Sequence, residues 1–382
     1  MASVTSGVQY SGIWTMQQVN AAVAAGTWTG LPFLYSWGAN GSGQLGLGNT
    51  TNYSSPKQVG ALNTWSKLSG ARSFSGAIKT DGTLWLWGAS NYGQLGLGNT
   101  TARSSPNQVG ALSNWLTISG GNYHSVAVKT DGTIWSWGYN AQGQLGLGNI
   151  TNYSSPKQIG ALTSWLSVAS GIYFNTLAIK TNGTLWAWGR NNVGQLGLGN
   201  TTYYSSPKQI GALTNWALVC ATSNSVSAVK TDGTLWSWGY NAQGQLGLGN
   251  LTDYSSPKQV GALTNWSTVS GGYGFVAAIT TSGALYAWGV GTAGQLGLGN
   301  TTTYSSPKQV GALTTWLKLS AGAYSCSSIK TDGTLWTWGN NGSGRLGLGD
   351  TVNRSSPTQV GLLTSWKTIS LGVDHAIAIS AP

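Results

Sequence analysis

Apolar side chains along this chain recur with the two-residue period of β-strands. In Thr83-Leu84-Trp85-Leu86-Trp87, neighbouring side chains alternate between two faces, and the two-residue turn Asp81-Gly82 comes directly before. The segment 76–79 fits the other arm of this hairpin, and a third strand over 65–69 leads into it. A short fourth strand begins at Pro56, as expected for an outer edge. The pattern predicts units of four antiparallel strands.

This unit repeats along almost the whole chain. A Trp-Gly pair recurs every 50 residues with one step of 51, at Trp37, Trp87, Trp137, Trp188, Trp238, Trp288 and Trp338. A Gly-Gln-Leu-Gly-Leu-Gly loop follows each copy, with Arg345 replacing Gln in the last. Seven units of four strands indicate an all-β, seven-bladed β-propeller.

The two ends of the repeat region complement each other. Leu34-Tyr35-Ser36 precedes the first Trp-Gly without its hairpin arm, whereas residues 375–379 form an arm that no further Trp-Gly strand follows. We expect these N- and C-terminal strands to pair, which completes a seventh blade and closes the ring without exposed edges. The predicted domains are an N-terminal extension, residues 1–30, and the propeller, residues 31–382.

The repeat resembles a known family. The Gly-Gln-Leu-Gly-Leu-Gly loop, the Asp-Gly-x-Leu/Ile-Trp-x-Trp-Gly strand and the period near 50 are similar to the regulator of chromosome condensation repeats over residues 32–379. The resemblance implies a seven-bladed propeller. It leaves function open, because the family includes a guanine-nucleotide exchange factor that binds nucleosomes, domains of larger regulatory proteins and a secreted bacterial inhibitor of β-lactamase.

Composition and charge restrict the classes of protein and partner that fit this chain. The chain has 58 Gly, 21 Trp, no Glu and only 7% charged residues, which excludes a mainly helical protein. Its net charge of +11 suits a polyanionic partner, but the basic residues are spread along the chain, so nucleic acid is not favoured. We expect a solvated rim from the lysines that recur once per blade: Lys57, Lys79, Lys129, Lys157, Lys180, Lys208, Lys230, Lys258, Lys308 and Lys330.

Residues that differ between blades are the candidates for a binding site. They follow the innermost strand or the Trp-Gly pair of each unit and would gather near one face of the ring, where aromatic groups suit protein contact or sugar stacking. Neutral drift of loops between duplicated blades is the alternative. The candidates are Tyr123, His124, Tyr139, Tyr173, Phe174, Arg190, Tyr240, Tyr273, Phe275 and Tyr324.

The sequence contains few residues that could carry out catalysis. With no Glu and two His, an acid–base pair is hard to assemble, and four of the seven Asp occupy equivalent hairpin turns. No metal-ligand cluster is evident, and Cys220 fits a small buried hydrophobe. We therefore predict a protein that is not an enzyme and that uses no cofactor and no metal.

The N-terminal extension lies outside the repeats. Thr15-Met16-Gln17-Gln18 matches a helix capping box, and Gly26 is placed to end a short helix. The segment resembles leaders of tailed-bacteriophage structural proteins, and it carries no signal peptide. We expect it to attach the propeller to another protein or to the propeller itself through Ile13, Trp14, Met16, Val19, Val23 and Trp28.

These features predict a structural or binding propeller on a phage virion. Its partners would be other virion or scaffold proteins and a host-surface protein or glycan, with an oligomer as one assembly state and no membrane insertion. The alternative is a cytoplasmic regulatory module, such as a nucleotide exchange factor or a chromatin- or protein-binding propeller.

Overall fold

Every element that the structure describes is a β-strand. The computed structural model describes residues 33–61 and 64–380, which contain 28 strands in seven four-stranded sheets and no helix. The seven-bladed propeller is thereby confirmed. The short helix and the attachment residues expected within residues 1–30 lie outside the described residues.

Each blade has its strands in the order innermost, second, third and outermost. The innermost strands are β3 (Trp65–Gly70), β7 (Trp115–Gly120), β11 (Trp165–Ser170), β15 (Trp216–Ala221), β19 (Trp266–Gly271), β23 (Trp316–Ala321) and β27 (Trp366–Leu371). The second strands are β4 (Phe74–Lys79), β8 (His124–Lys129), β12 (Asn175–Lys180), β16 (Ser225–Lys230), β20 (Phe275–Thr280), β24 (Ser325–Lys330) and β28 (His375–Ser380).

The third strands carry the Trp-Gly pairs and are β1 (Phe33–Gly38), β5 (Leu84–Gly88), β9 (Ile134–Gly138), β13 (Leu185–Gly189), β17 (Leu235–Gly239), β21 (Leu285–Gly289) and β25 (Leu335–Gly339). The outermost strands are β2 (Tyr53–Gln58), β6 (Arg103–Gln108), β10 (Tyr153–Gln158), β14 (Tyr204–Gln209), β18 (Tyr254–Gln259), β22 (Tyr304–Gln309) and β26 (Arg354–Gln359). Each outermost strand begins three residues before its proline, earlier than the sequence pattern predicts.

The ring closes through the two ends of the repeat region. In the seventh blade the strand order is β2-β1-β28-β27, and β1 pairs antiparallel with β28 from Phe33↔Ser380 to Gly38↔His375. Blades one to six follow in chain order from β3–β6 to β23–β26. The predicted composite blade is confirmed, and it joins the first blade to the sixth.

Neighbouring blades are joined by the Gly-rich loops and the Trp-Gly pairs. The fully buried indole Nε1 of Trp87 donates a hydrogen bond of 2.9 Å to the carbonyl oxygen of Gln44 in the preceding blade's loop. Gly46 in that loop has φ +73°, and a Cβ there would lie 2.8 Å from the Trp87 Nε1 atom. The loop therefore needs glycine both for its backbone conformation and for the close approach of the ring.

The lysines at the ends of the second strands do not form the expected solvated rim. Lys79, for example, is only 8% exposed, and its Nζ lies 3.8 Å from the ring centroid of Trp85 and 5.1 Å from that of Trp65. The equivalent lysines of the second, third, fourth and sixth blades are held in the same way. Two indoles cover each aliphatic stem and face its ammonium, because tryptophans of different strands meet there.

The two ends of the ring differ in construction. At the turn end, each innermost strand begins beside the hairpin turn, as shown by the pair Trp65↔Lys79 next to Asp81-Gly82. At the loop end, a loop of three or four residues joins each innermost strand to the second strand, as residues 71–73 do in the first blade. A central cavity of about 280 Å³ lies towards the loop end, where the last residues of the innermost strands and the loops that follow them line it.

Candidate functional site

Most of the residues that differ between blades gather at the loop end. There the loops between innermost and second strands meet the loops after the Trp-Gly pairs; the Tyr139 amide, for example, donates to the Tyr123 carbonyl at 2.8 Å. We call this surface the loop face. It is formed by Arg72, Tyr92, Tyr123, Tyr139, Tyr173, Phe174, Arg190, Tyr240, Tyr273, Tyr324, Arg345 and Asp374.

One aromatic cluster spans the first three blades of the loop face. The ring centroid of Tyr92 lies 4.7 Å from that of Tyr139 and 5.1 Å from that of Tyr123. Phe174 contacts the same group, with a centroid separation of 5.3 Å to Tyr139. The guanidinium of Arg72 lies 5.3 Å from the Tyr123 ring centroid and donates to the Asn122 side chain at 3.0 Å. These contacts hold aromatic rings in place at a surface where Tyr92 is 37% exposed.

A second cluster joins blades that are not neighbours. The hydroxyls of Tyr173, in the third blade, and Tyr273, in the fifth, share a short hydrogen bond. Tyr273 also packs against Tyr324 of the sixth blade, with ring centroids 5.4 Å apart. Burial and the hydrogen bond to Tyr273 raise the pKa of Tyr173 to about 12, so its hydroxyl stays protonated at neutral pH.

A one-residue insertion brings Tyr173 into this cluster. The loop of the third blade, residues 171–174, is one residue longer than the others, which accounts for the single 51-residue step. Phe174 in this loop has φ 67°, and it is the only non-glycine with positive φ in the described ranges. Such strain persists only where neighbouring contacts impose it, and the aromatic contacts of Phe174 supply them.

Cationic groups lie among these rings. Arg345 is 7% exposed and forms a 2.8 Å ion pair with Asp374, the acidic residue of the loop face. The Arg190 guanidinium lies 5.9 Å from the Tyr173 ring centroid, and its Nε donates to Asn192 at 2.8 Å. The ion pairs of the described residues are Arg345–Asp374 and Arg354–Asp350, so Arg72 and Arg190 are cations without a carboxylate partner there.

Two predicted site residues do not reach this surface. His124 and Phe275 are 0% exposed because they begin the second strands β8 and β20 and point into the blades. Burial lowers the pKa of His124 to about 3, and its Nε2 lies 3.2 Å from the Thr176 hydroxyl. Both side chains support the fold, and the loop face is formed instead by Tyr123 and Tyr273 in the loops before them.

The other predicted residues lie on the loop face, and the sequence patterns missed some of its members. Tyr240 is half-buried in the loop of the fourth blade, where its amide donates to the Asn224 carbonyl at 3.0 Å. Arg72, Tyr92 and Arg345 were not among the candidates. The signal for Arg345 was available, since it alone replaces the glutamine of the repeated loop.

Among the described residues there is no group of three or more His, Cys, Asp or Glu that could hold a metal ion. The same part of the chain contains no helix long and apolar enough to cross a membrane.

Comparison with known proteins identifies the family. The model of the regulator of chromosome condensation (RCC1) repeat matches seven segments of the chain, which together span most of it: 33–78, 81–128, 131–178, 182–229, 232–279, 282–329 and 332–379. The chain belongs to the RCC1 repeat family. Each segment joins the third and outermost strands of one blade to the first two strands of the next, so the RCC1 repeat is offset from the structural blade.

Individual relatives define the likeness further. Mouse protein RCC2 is 49% identical over 47 residues, which are 12% of this chain and 9% of the length of RCC2. Human WBSCR16 matches with a TM-score of 0.82 and 21% identity over 92% of this chain and 99% of its own. Prp20p from Saccharomyces cerevisiae also gives a TM-score of 0.82, with 18% identity over 93% of this chain and 92% of its own. At these identities the two structures show the fold alone.

The expected virion role gains nothing from these comparisons. The relatives named here come from mouse, human and yeast, and none is described as a virion component. The resemblance of the N-terminal segment to phage leaders likewise finds no counterpart among them. The alternative, a regulatory binding module, fits the family better.

Proposed function

We propose that this RCC1-family propeller is a non-catalytic protein-binding module that works in a cell and engages its partner through the loop face. The main support is the arrangement of eight aromatic side chains, seven of them in the two clusters, and two arginines without carboxylate partners on one end of a rigid ring. Tyrosine and arginine are the residue types that most often dominate the energy of protein interfaces.

The charge of the loop face favours an acidic segment of the partner. Asp374 is already paired with Arg345, whereas Arg72 and Arg190 lie against tyrosine rings, each with a neutral side-chain hydrogen-bond acceptor. A carboxylate that reaches either guanidinium would form a charge-assisted hydrogen bond beside an aromatic surface. Apolar groups of the same segment would then cover Tyr92, Tyr123 and Tyr139.

Family members offer a precedent for the general role only. Prp20p is described through its binding to Gsp1p and histones, and a complex of Prp20 with Kap60 is known. We carry over the binding of a protein and leave the identity of the partner open.

A peptide array tests this proposal. The full chain is applied to matched acidic and basic peptides, beside the variants Arg72→Ala and Tyr123→Ala and the control Lys208→Ala, whose lysine lies on the outermost strand of the third blade. We expect selective binding of acidic peptides, a loss of about tenfold or more in both loop-face variants and little change in the control. Binding that prefers basic peptides, or that both variants retain, would contradict the proposal.

The N-terminal extension keeps its predicted role as a docking segment within this proposal. Light scattering of the full chain beside a chain starting at Thr29 tests it. A defined oligomer formed only by the full chain would support docking between subunits. Identical monomers would rule out that form of docking and leave the propeller to bind its partner alone.

A further inference from the structure

A cluster of lysines lies at the turn end, away from the proposed protein-binding face. Lys67 is the third residue of β3, Lys318 the third of β23, and Lys367 the second of β27. These innermost strands belong to consecutive blades, because β27 contacts both β23 and β3. Ring closure therefore brings Lys67 close to two lysines that follow it by about 250 and 300 positions in the sequence. We call the three residues the lysine triad.

The triad departs from the repeat. The residues equivalent to Lys67 and Lys318 in the other five blades are uncharged: Thr117, Ser167, Leu218, Thr268 and Thr368. Those equivalent to Lys367 are uncharged too: Ser66, Leu116, Leu166, Ala217, Ser267 and Leu317. Positive charge at these positions is thus confined to three consecutive blades, in contrast to the lysines that recur once per blade.

The three lysines lie on adjoining innermost strands, and none of them has an acidic partner among the described residues. Lys318 Nζ donates a hydrogen bond of 2.5 Å to the main-chain carbonyl of Lys367, and the charges of Lys67 and Lys367 act on it. Neither ion pair in residues 33–61 and 64–380 includes a lysine. Burial and these two neighbouring cations lower the pKa of Lys318, as expected where like charges are held together.

The acidic residues of the nearby turns are already engaged. Asp81 of the first blade accepts hydrogen bonds from the amide and the hydroxyl of Thr83, at 2.9 Å and 2.6 Å. Asp332 of the sixth blade makes the same two bonds to Thr334. The charge of each acts on its own blade's caged lysine, Lys79 or Lys330, whereas the charges that act on Lys318 are those of Lys67 and Lys367.

We infer that the lysine triad is a binding site for a compact phosphate-type anion at the turn end of the ring. A tetrahedral anion with a charge near −2 has enough oxygens to accept hydrogen bonds from three ammonium groups and reduces their mutual repulsion. An extended nucleic-acid backbone fits less well, because tracking it needs a basic groove and the charge here occupies one sector.

Calorimetric titration with inorganic phosphate, at ionic strength held constant with sodium chloride, tests the site. The variant Lys318→Gln removes the central cation, and Lys208→Gln is a matched control on an outermost strand. We expect the Kd of Lys318→Gln to rise about tenfold or more and that of Lys208→Gln to stay within about twofold. Equal phosphate binding by Lys318→Gln and the unmodified chain, or none by the unmodified chain, would overturn the inference.

Two further measurements, thermal denaturation with phosphate and binding of alternative ligands, extend this test. Phosphate should raise the Tm of the unmodified chain but not that of Lys318→Gln, whose own Tm without phosphate should be higher because like-charge repulsion is relieved. O-phosphoserine in place of phosphate tells a free anion from one carried by a side chain, and the site is supported whichever binds more tightly. Tighter, triad-dependent binding of duplex DNA would instead contradict a compact ligand.

Discussion

The two ends of the ring differ in how far their residues repeat from blade to blade. At the turn end, five of the seven blades have a lysine caged between two aromatic rings, two residues before a hairpin turn that is Asp-Gly in four of them. The lysine triad does not follow this repeat. At the loop end the side chains vary between blades, from Arg72 in the first to Asp374 in the seventh. Repeated residues build the frame, and both proposed sites lie where blades depart from the repeat.

The largest expected loss of stability comes from substituting a buried residue that repeats in every blade. Trp87→Ala removes a fully buried indole and its hydrogen bond to the neighbouring blade, and we expect a loss of about 3–5 kcal/mol in the free energy of unfolding. Tyr139→Ala at the half-buried loop face should cost about 1 kcal/mol or less. Urea denaturation of both variants measures the difference. Equal losses in the free energy of unfolding would contradict the distinction between structural residues such as Trp87 and loop-face residues such as Tyr139.

Acidic pH should destabilise the folded protein through the buried side chain of His375. Burial lowers the pKa of His375 to about 4, below its unfolded value near 6.5, so the unfolded chain binds more protons. Stability is therefore full above pH 6.5 and falls towards pH 4, by about 3 kcal/mol for this residue.

The variant His375→Asn tests this pH dependence, since Asn175 occupies the equivalent buried position in the third blade. We expect it to flatten the fall in Tm between pH 6.5 and pH 4. An unchanged pH profile would show that His375 does not account for the loss.

A smaller effect separates the two sets of repeated lysines. Lys129 lies 3.9 Å from the Trp135 ring centroid and is 5% exposed, so Lys129→Ala should cost about 2 kcal/mol through lost packing and cation–π attraction. Lys157→Ala, an exposed outermost-strand counterpart, should change the free energy of unfolding by about 0.5 kcal/mol or less. Thermal denaturation compares them, and similar costs would refute the cage as a stabilising contact.

The smallest effect is expected at the hairpin turn. Asp131 accepts hydrogen bonds from the amide and hydroxyl of Thr133, and Asn182 makes the same bonds to Thr184 in the third blade. Asp131→Asn should therefore stay within about 0.5 kcal/mol of the unmodified chain at pH 7. A larger loss of stability, measured by thermal denaturation, would mean that the negative charge of Asp131 itself stabilises the hairpin turn.

Spacing and turn chemistry were enough to predict the ring. The 50-residue Trp-Gly period, the Asp-Gly turns and the complementary ends, which meet at Phe33↔Ser380, depend on local sequence alone. Side-chain direction was harder to predict. His124 is buried and Tyr123 is not, because the strand begins between them, and a shift of one residue reverses the face.

Long-range neighbours account for what the sequence did not reveal. Lys79 looks like a surface lysine until Trp65 and Trp85, on separate strands, are seen on either side of it. The lysine triad likewise depends on closure of the ring, and Tyr173 meets Tyr273 only because one inserted residue reshapes the loop. Such pairings follow from three-dimensional packing and leave no periodic trace.

Hydrogen exchange of the full chain tests most directly whether the loop face is the recognition surface. Exchange is measured by mass spectrometry with and without the acidic peptide that binds most tightly. We predict slower exchange in the loop segments 71–73, 121–123 and 171–174, and unchanged exchange in the hairpin turns of the same blades. Protection confined to the turn end, or to the outermost strands, would contradict a protein-binding loop face.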